Sequence, residues 1–454
     1  MAARLIESLA TTEPLAELFS DKSVLQAMLD FEAALARAEA RAGVIPKAAA
    51  THISAAARVA HFDIPLLSRA TLRAGTPAIP MVKVLTEKVG ARNSEAARWV
   101  HWGATSQDVV DTGLVLLLKR AQPILIADLD RLEKSLVSLS GRHKKTVMLG
   151  RTLLQPAPPV TFGLKAAGWL AAVRRNRKRL ESAFAEALLL QFGGASGTLA
   201  ALGDKGITVA RALAEELELA LPDAPWHTHR DRSAHLLACC GVLTGSLGKL
   251  ARDISLLMQN EVAEAAEPGG DGRGGSSTMP HKRNPIACSL TLAAAQRVPG
   301  LVATFLSTMV QEHERAAGGW QSEWPVVASV IQSTGLAAAS MAEVAEGISV
   351  DPERMRQNIE NTKGLIFAER AVKLLAAKLG RDVAHKHLEV ATRASIAGNK
   401  HLSAVLGEMP EVNSRLDRSV LEQLEVPEDY LGSAETFRKA LLNSGIQRKR
   451  KAER

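Results

Sequence analysis

Residues 274–285 read GGSSTMPHKRNP, and PGGDGR precedes them from Pro268. Two serines (Ser276, Ser277), two cations (Lys282, Arg283) and an Asn-Pro step thus share one glycine-rich tract. Asn284 is a preferred helix N-cap and Pro285 suits a first helical turn, so a helix is predicted to open there over IACSLTLAAAQRV. The free amides of that end, with Lys282 and Arg283 just before it, favour an anion. A second helix start has similar chemistry. In HWGATSQDVVDTG, at 101–113, Thr105 and Asp108 form a capping-box pattern ahead of a long apolar segment. Two helix ends presenting hydroxyls and amides suit a small polyanion, although spacing alone reads equally well as two ordinary caps.

The elements that must hold these residues are helical. Leu125, Leu129, Leu132, Leu136 and Leu139 recur by four and three, as do Leu243, Leu247, Leu250, Ile254 and Leu257, which gives each segment one apolar stripe. Pro123 sits within the first pattern and predicts a kink. The segment VLQAMLDFEAALARAEARAG should end on Gly43 as a C-cap, and DPERM should open a helix with Asp351 as cap and Pro352 at its first position. Strand-like alternation is scarce, so the expected class is all-α. Three zones are predicted: an N-terminal helical domain over 1–108, a central long-helix domain over 109–349, and a C-terminal helical domain over 350–454.

Composition narrows the function. A chain of 454 residues, 46% hydrophobic, can bury a large core. No run of eighteen uninterrupted apolar residues and no leader pattern is seen, so a soluble, cytoplasmic protein without membrane contact is expected. Three cysteines, two of them adjacent, make neither a disulfide framework nor a metal pattern. The net charge of +8 owes much to RRNRKR at 174–179 and to the tail QRKRKAER. Without interleaved aromatics these read as a solvated helix face and a loose end rather than a nucleic-acid surface. The histidines of HTH, 227–229, lack a third ligand at motif spacing, and GGDGRGG follows no strand, so neither a metal nor a cofactor is expected.

GSSTMPHKRNP resembles the signature G-S-S-x-M-P-x-K-x-N-P of the fumarase/aspartase superfamily, with every fixed position met from Gly275 to Pro285. HWGATSQDVVDTG and GRTLLQPAPPVTFG, at 150–163, resemble its other two regions in the required order. Three further stretches, QFGGASGTLAALGDKG, PWHTHRDR and QEHERAAGGWQSEW, are similar to one branch, the bacterial 3-carboxy-cis,cis-muconate cycloisomerases. Leu153 stands where many lyases of the superfamily carry histidine, which weighs against an adenylosuccinate-type, fumarate-releasing lyase. Pro156 and His229 depart from residues commoner in the cycloisomerase branch. A non-catalytic, crystallin-like protein is the distant alternative, opposed by the retention of Ser276, Lys282 and Asn284.

The resemblance implies a cycloisomerase acting on a small polycarboxylate. Ser276 would be the proton-transfer residue on a closing loop with glycine hinges, and Lys282 and Asn284 would stabilise developing charge. Thr105, Ser106, Thr152, Gln155 and Ser277 would bind substrate carboxylates, with Arg230 and Arg315 as forked contacts. His101 would stand near the site and orient substrate. The resemblance also implies a homotetramer whose long central helices form one bundle and whose active sites are shared between subunits.

Overall fold

The computed structural model describes residues 5–270, 274–275, 279 and 282–444. Its main elements in chain order are α1 (Asp21–Arg41), α2 (Lys47–Ala56), α3 (Ser106–Arg142), β1 (Val147–Thr152), β2 (Gln155–Thr161), α4 (Phe162–Ala187), α5 (Gly206–Leu217), α6 (Asp231–Leu257), β3 (Ala265–Ala266), α7 (Ile286–Ser307), α8 (Gly319–Gly347), β4 (Ser349–Val350) and α9 (Pro352–Glu360), with further helices to Asn443. The all-α expectation holds. Both leucine stripes are buried along their whole length, and each such side chain contributes about 2 kcal/mol by leaving water. Helix α3 continues through Pro123.

Contacts divide the chain into two units. One comprises Met1–Asp130, Arg175–Lys249 and Leu290–Met341; the other comprises Arg131–Arg174, Leu250–Ser289 and Ala342–Arg454. The first has a core around Leu29, Phe31, Leu35, Leu85, Val109 and Leu213, and the second has one around Val147, Leu149, Phe367, Leu375 and Leu402. Local chemistry sets the helix ends as the sequence predicts. Gly43 takes a left-handed φ of 68° after α1, and the amides of Gly43 and Val44 donate to the carbonyls of Ala40 and Glu39, a Schellman closure. The Asp351 side chain accepts from the Arg354 amide at 2.9 Å, and Pro352 opens α9.

Three features differ from expectation. Residues 147–161 form a hairpin, β1 antiparallel to β2, with Thr152 opposite Gln155 and only Leu153 and Leu154 between them. Both leucines have positive φ, 50° and 65°, and both are exposed, at 97% and 75%. Such a two-residue turn normally takes Asn or Gly, and β2 carries three prolines, so nothing in its composition signals a strand. Second, α7 opens at Ile286, where the predicted segment IACSLTLAAAQRV begins, but its N-terminal end is not left open for a ligand. Its first amides are taken by a carboxylate from outside the helix, as described below. Third, the basic face at 174–179 is not simply solvated: Arg174 pairs with Glu133 and Arg177 with Asp130 and Glu181.

Helices α6, α7 and α8 are long and apolar enough to cross a membrane by length and composition, with mean hydropathy 1.3, 1.4 and 1.3. Polar interruptions hid this from a search for unbroken runs. α6 and α8 bury 61% and 67% of their apolar stretch, but α7 buries only 33% and leaves most of it uncovered by its own chain.

One buried acid has a consequence for stability. Burial pushes Glu39 of α1 up to about 9 from its ordinary 4.5, and the charge of Glu32 adds to the shift. The folded chain therefore holds a proton there that the unfolded chain has released, and stability falls as pH rises between those values. Glu39→Gln keeps the shape without the ionisation, so its gain in melting temperature over the parent should widen from about pH 5 to about pH 9. Parallel melting curves across that range would show that Glu39 is not held neutral.

Candidate active site

In the first unit the segment 101–105 leads into α3, and the carboxylate of Asp108 organises its surroundings. Asp108 is fully buried and accepts five hydrogen bonds: from the Thr105 amide at 3.1 Å, the Gly193 and Gly194 amides at 3.0 and 2.9 Å, Gln191 Nε2 at 3.1 Å and His227 Nε2 at 2.8 Å. The Thr105 contact is the amide arm of the anticipated capping box. A buried carboxylate is tolerated when donors replace the water it has lost. Here those donors tie the 191–194 loop and His227 to the start of α3. The Nε2 of His227 is thereby committed to a carboxylate.

Arg315 reaches the same corner. Its Nη1 donates to Thr105 Oγ1 at 2.8 Å, and its Nη2 donates to the carbonyls of Ala195 at 2.9 Å and Gly194 at 3.4 Å. All three acceptors are neutral, and the buried Nε has no partner among the described residues. The guanidinium is therefore fixed in place by neutral acceptors, with no acid among its described partners. Ser106 lies half-buried in the first turn of α3, one residue from Thr105.

His101 has a left-handed backbone, with φ 58°, and its Nδ1 lies 2.6 Å from Glu32 Oε1. Burial alone would lower the imidazole pKa, but the charge and hydrogen bond of Glu32, with the charge of Asp108, outweigh it and raise the value.

Arg230 departs from the role expected of it. It is buried, with Nη1 donating to Asp111 Oδ2 at 2.7 Å, Nη2 to Asp111 Oδ1 and Glu323 Oε2, and Nε to both oxygens of Glu323. Burial would lower its pKa, and the two carboxylates reverse that. Trp226 stacks on the guanidinium at 4.8 Å, and Trp320 Nε1 donates to Asp111 at 3.0 Å. With its fork filled by the chain's own acids, Arg230 supports the architecture of α3 rather than offering donors to a ligand.

In the second unit, Thr152 and Gln155 flank the exposed hairpin turn. The neighbouring Arg151 forms a forked pair with the fully buried Glu264 at 2.9 and 2.6 Å, and Asn358 Nδ2 adds a third bond at 2.8 Å. Lys282 is exposed. The Asn284 amide donates to the Gly274 carbonyl at 2.9 Å. Gly274 has a φ of 66°, and a Cβ there would lie 2.7 Å from the Asn284 carbonyl oxygen, so only glycine permits this crossing. The Glu267 carboxylate accepts from the Ala287 and Cys288 amides at 3.1 and 3.2 Å. The anion expected at the head of α7 is thus the chain's own side chain. Ser276 and Ser277 lie outside the described residues.

The structure therefore gathers His101, Thr105, Ser106, Arg230 and Arg315 in one unit, and Thr152, Gln155, Lys282 and Asn284 in the other. Glu32, Asp108 as a hub, and Glu267 were missed by the sequence reading. The signal for Glu32 was available: it sits on the apolar stripe of α1 with Leu25, Met28, Leu29, Leu35 and Ala36.

The pattern of the family described as Lyase matches residues 7–300, and that described as Adenylosuccinate lyase C-terminus matches 364–441. A 3-carboxy-cis,cis-muconate cycloisomerase of Bradyrhizobium diazoefficiens is 50% identical over 93% of this chain and 94% of its own. One from Pseudomonas aeruginosa is 49% identical over 96% and 95%. The crystal structure of the 3-carboxy-cis,cis-muconate lactonizing enzyme from Pseudomonas putida superposes with a TM-score of 0.92 at 46% identity, covering 98% of this chain and 99% of that one.

Proposed function

The chain belongs to the fumarase/aspartase superfamily of lyases, and we propose that within it the chain is a cytoplasmic cycloisomerase interconverting 3-carboxy-cis,cis-muconate and a carboxymuconolactone. The observation that carries this reading is the Thr105–Arg315 corner, where a guanidinium held only by neutral acceptors can take a substrate carboxylate. In lactonisation a carboxylate oxygen of the substrate bonds to one alkene carbon. The π electrons move to the adjacent carbon and into its carboxylate, and a proton arrives at that carbon. Lys282 and Asn284 are assigned to the transient charge and Ser276 to the proton, each by its place in the signature. Thr152, Gln155, Ser106 and Ser277 complete the polar lining. Leu153 offers no proton, which fits a cyclisation better than the release of fumarate.

We further read the enzyme as a homotetramer with shared sites. Support comes from the uncovered apolar surface of α7 and from the two leucines exposed at the hairpin turn; both suit burial against other copies of the chain. Light scattering on the purified protein should give four times the chain mass, and a monomer would remove this part of the reading.

The deciding assay mixes the protein with 3-carboxy-cis,cis-muconate and follows loss of the conjugated-diene absorbance, with Ser276→Ala in parallel. The parent should consume the diene and the variant should be slower by on the order of a hundredfold or more. No consumption, or equal rates, overturns the assignment. Fumarate released from adenylosuccinate would point instead to the fumarate-releasing lyases.

A further inference from the structure

Two acids on the buried face of α1 have no place in the reading above. Glu32 and Glu39 are seven residues apart, two helical turns along one side, and are 1% and 0% exposed. The arginines of α1 do not serve them: Arg37 and Arg41 pair with Glu216 and Glu215 of α5. Of the four carboxyl oxygens, Glu32 Oε1 meets His101 Nδ1 at 2.6 Å, and the other three have no hydrogen-bond partner among the described residues. Two unpartnered carboxylates cannot both stay ionised in such surroundings. Glu39 is the one that burial and its neighbour's charge keep protonated. Among the described residues, the group hydrogen-bonded to Glu32 is an imidazole. That imidazole is carried on a non-glycine residue in the left-handed region, a conformation costing on the order of 1–3 kcal/mol that persists where surrounding contacts impose it.

We propose that Glu32 is a positioning residue for the reaction: by accepting the Nδ1 proton of His101 it fixes the tautomer and the plane of the ring, so that Nε2 is the nitrogen presented to the bound polycarboxylate. No hydrogen bond among the described residues engages Nε2. The arrangement has the logic of a carboxylate that orients a histidine from behind, one group removed from the chemistry. The inference rests on the cycloisomerase reading for its substrate, but the geometry of the pair does not depend on it.

The test compares Glu32→Leu and Glu32→Gln with the parent. Leucine removes charge and acceptor; glutamine removes the charge and keeps an acceptor oxygen. Glu32→Leu should lower kcat by on the order of a hundredfold with KM changed by less than about threefold, and Glu32→Gln should recover roughly tenfold of that loss. In ¹⁵N-histidine spectra, with His101→Gln to assign the signal, the parent should show Nδ1 protonated, and Glu32→Leu should shift protonation toward Nε2. An unchanged kcat in Glu32→Leu, glutamine no better than leucine, or an unprotonated Nδ1 in the parent overturns the proposal. If Glu32→Leu does not fold, Glu32→Gln and the parent spectrum decide. A parent inactive on 3-carboxy-cis,cis-muconate sinks the functional reading itself; an active parent indifferent to Glu32 sinks this inference alone.

Discussion

Arg230→Met is expected to cost about 3–5 kcal/mol of folding stability, the penalty for removing one partner from a buried ion cluster. The guanidinium is shared by Asp111 and Glu323, all three are buried, and among the described residues no other cation is hydrogen-bonded to those acids. Burial already raises the Glu323 carboxyl pKa, against the pull of Arg230. Without the arginine at least one acid must take up a proton. Denaturant unfolding should move to a much lower midpoint, and the deficit should grow with pH as the acids are driven to ionise. Combining Arg230→Met with Asp111→Asn and Glu323→Gln should recover much of the loss, since neutral neighbours need no countercharge. A midpoint equal to the parent's would mean that the cluster is not bearing charge.

Arg315→Met is expected to lower kcat/KM by roughly a hundredfold to a thousandfold, the loss typical of truncating one partner of a hydrogen-bonded charge pair. Stability should change little, because this arginine is only half-buried and is paired with no acid among the described residues. Arg315→Lys should not rescue. An ammonium on a flexible stem cannot hold Thr105 Oγ1 and two carbonyls while also facing a carboxylate. Steady-state kinetics on the diene decide it: a methionine variant within a few fold of the parent would remove Arg315 from substrate binding.

How far the sequence could be read depended on the range of the interactions. Helix stripes repeat within one segment, and caps such as Gly43 and Asp351 act within three residues, so both were legible. The hairpin was not, because two leucines occupy backbone conformations that Asn or Gly would have announced, and prolines interrupt β2. The site divides the same way. Thr105 and Asp108 were found through their local spacing, but an arginine looks the same in sequence whether it meets a ligand or two acids. The acids that claim Arg230 are 119 and 93 residues away. Glu32 lies 69 residues from His101 and was readable only as an acid out of place on an apolar stripe.

Glu267 is the last residue before the Pro-Gly-Gly of the signature tract, and its side chain holds amides twenty and twenty-one residues further on, at the head of α7. The tract between them is therefore a noose with its knot already tied. Doubling the length of chain between the two tied ends would add only about 0.6 kcal/mol in closure entropy. Insertions between Gly270 and Gly274, which keep the Gly274–Asn284 crossing, should accordingly leave the melting temperature unchanged and be felt in turnover.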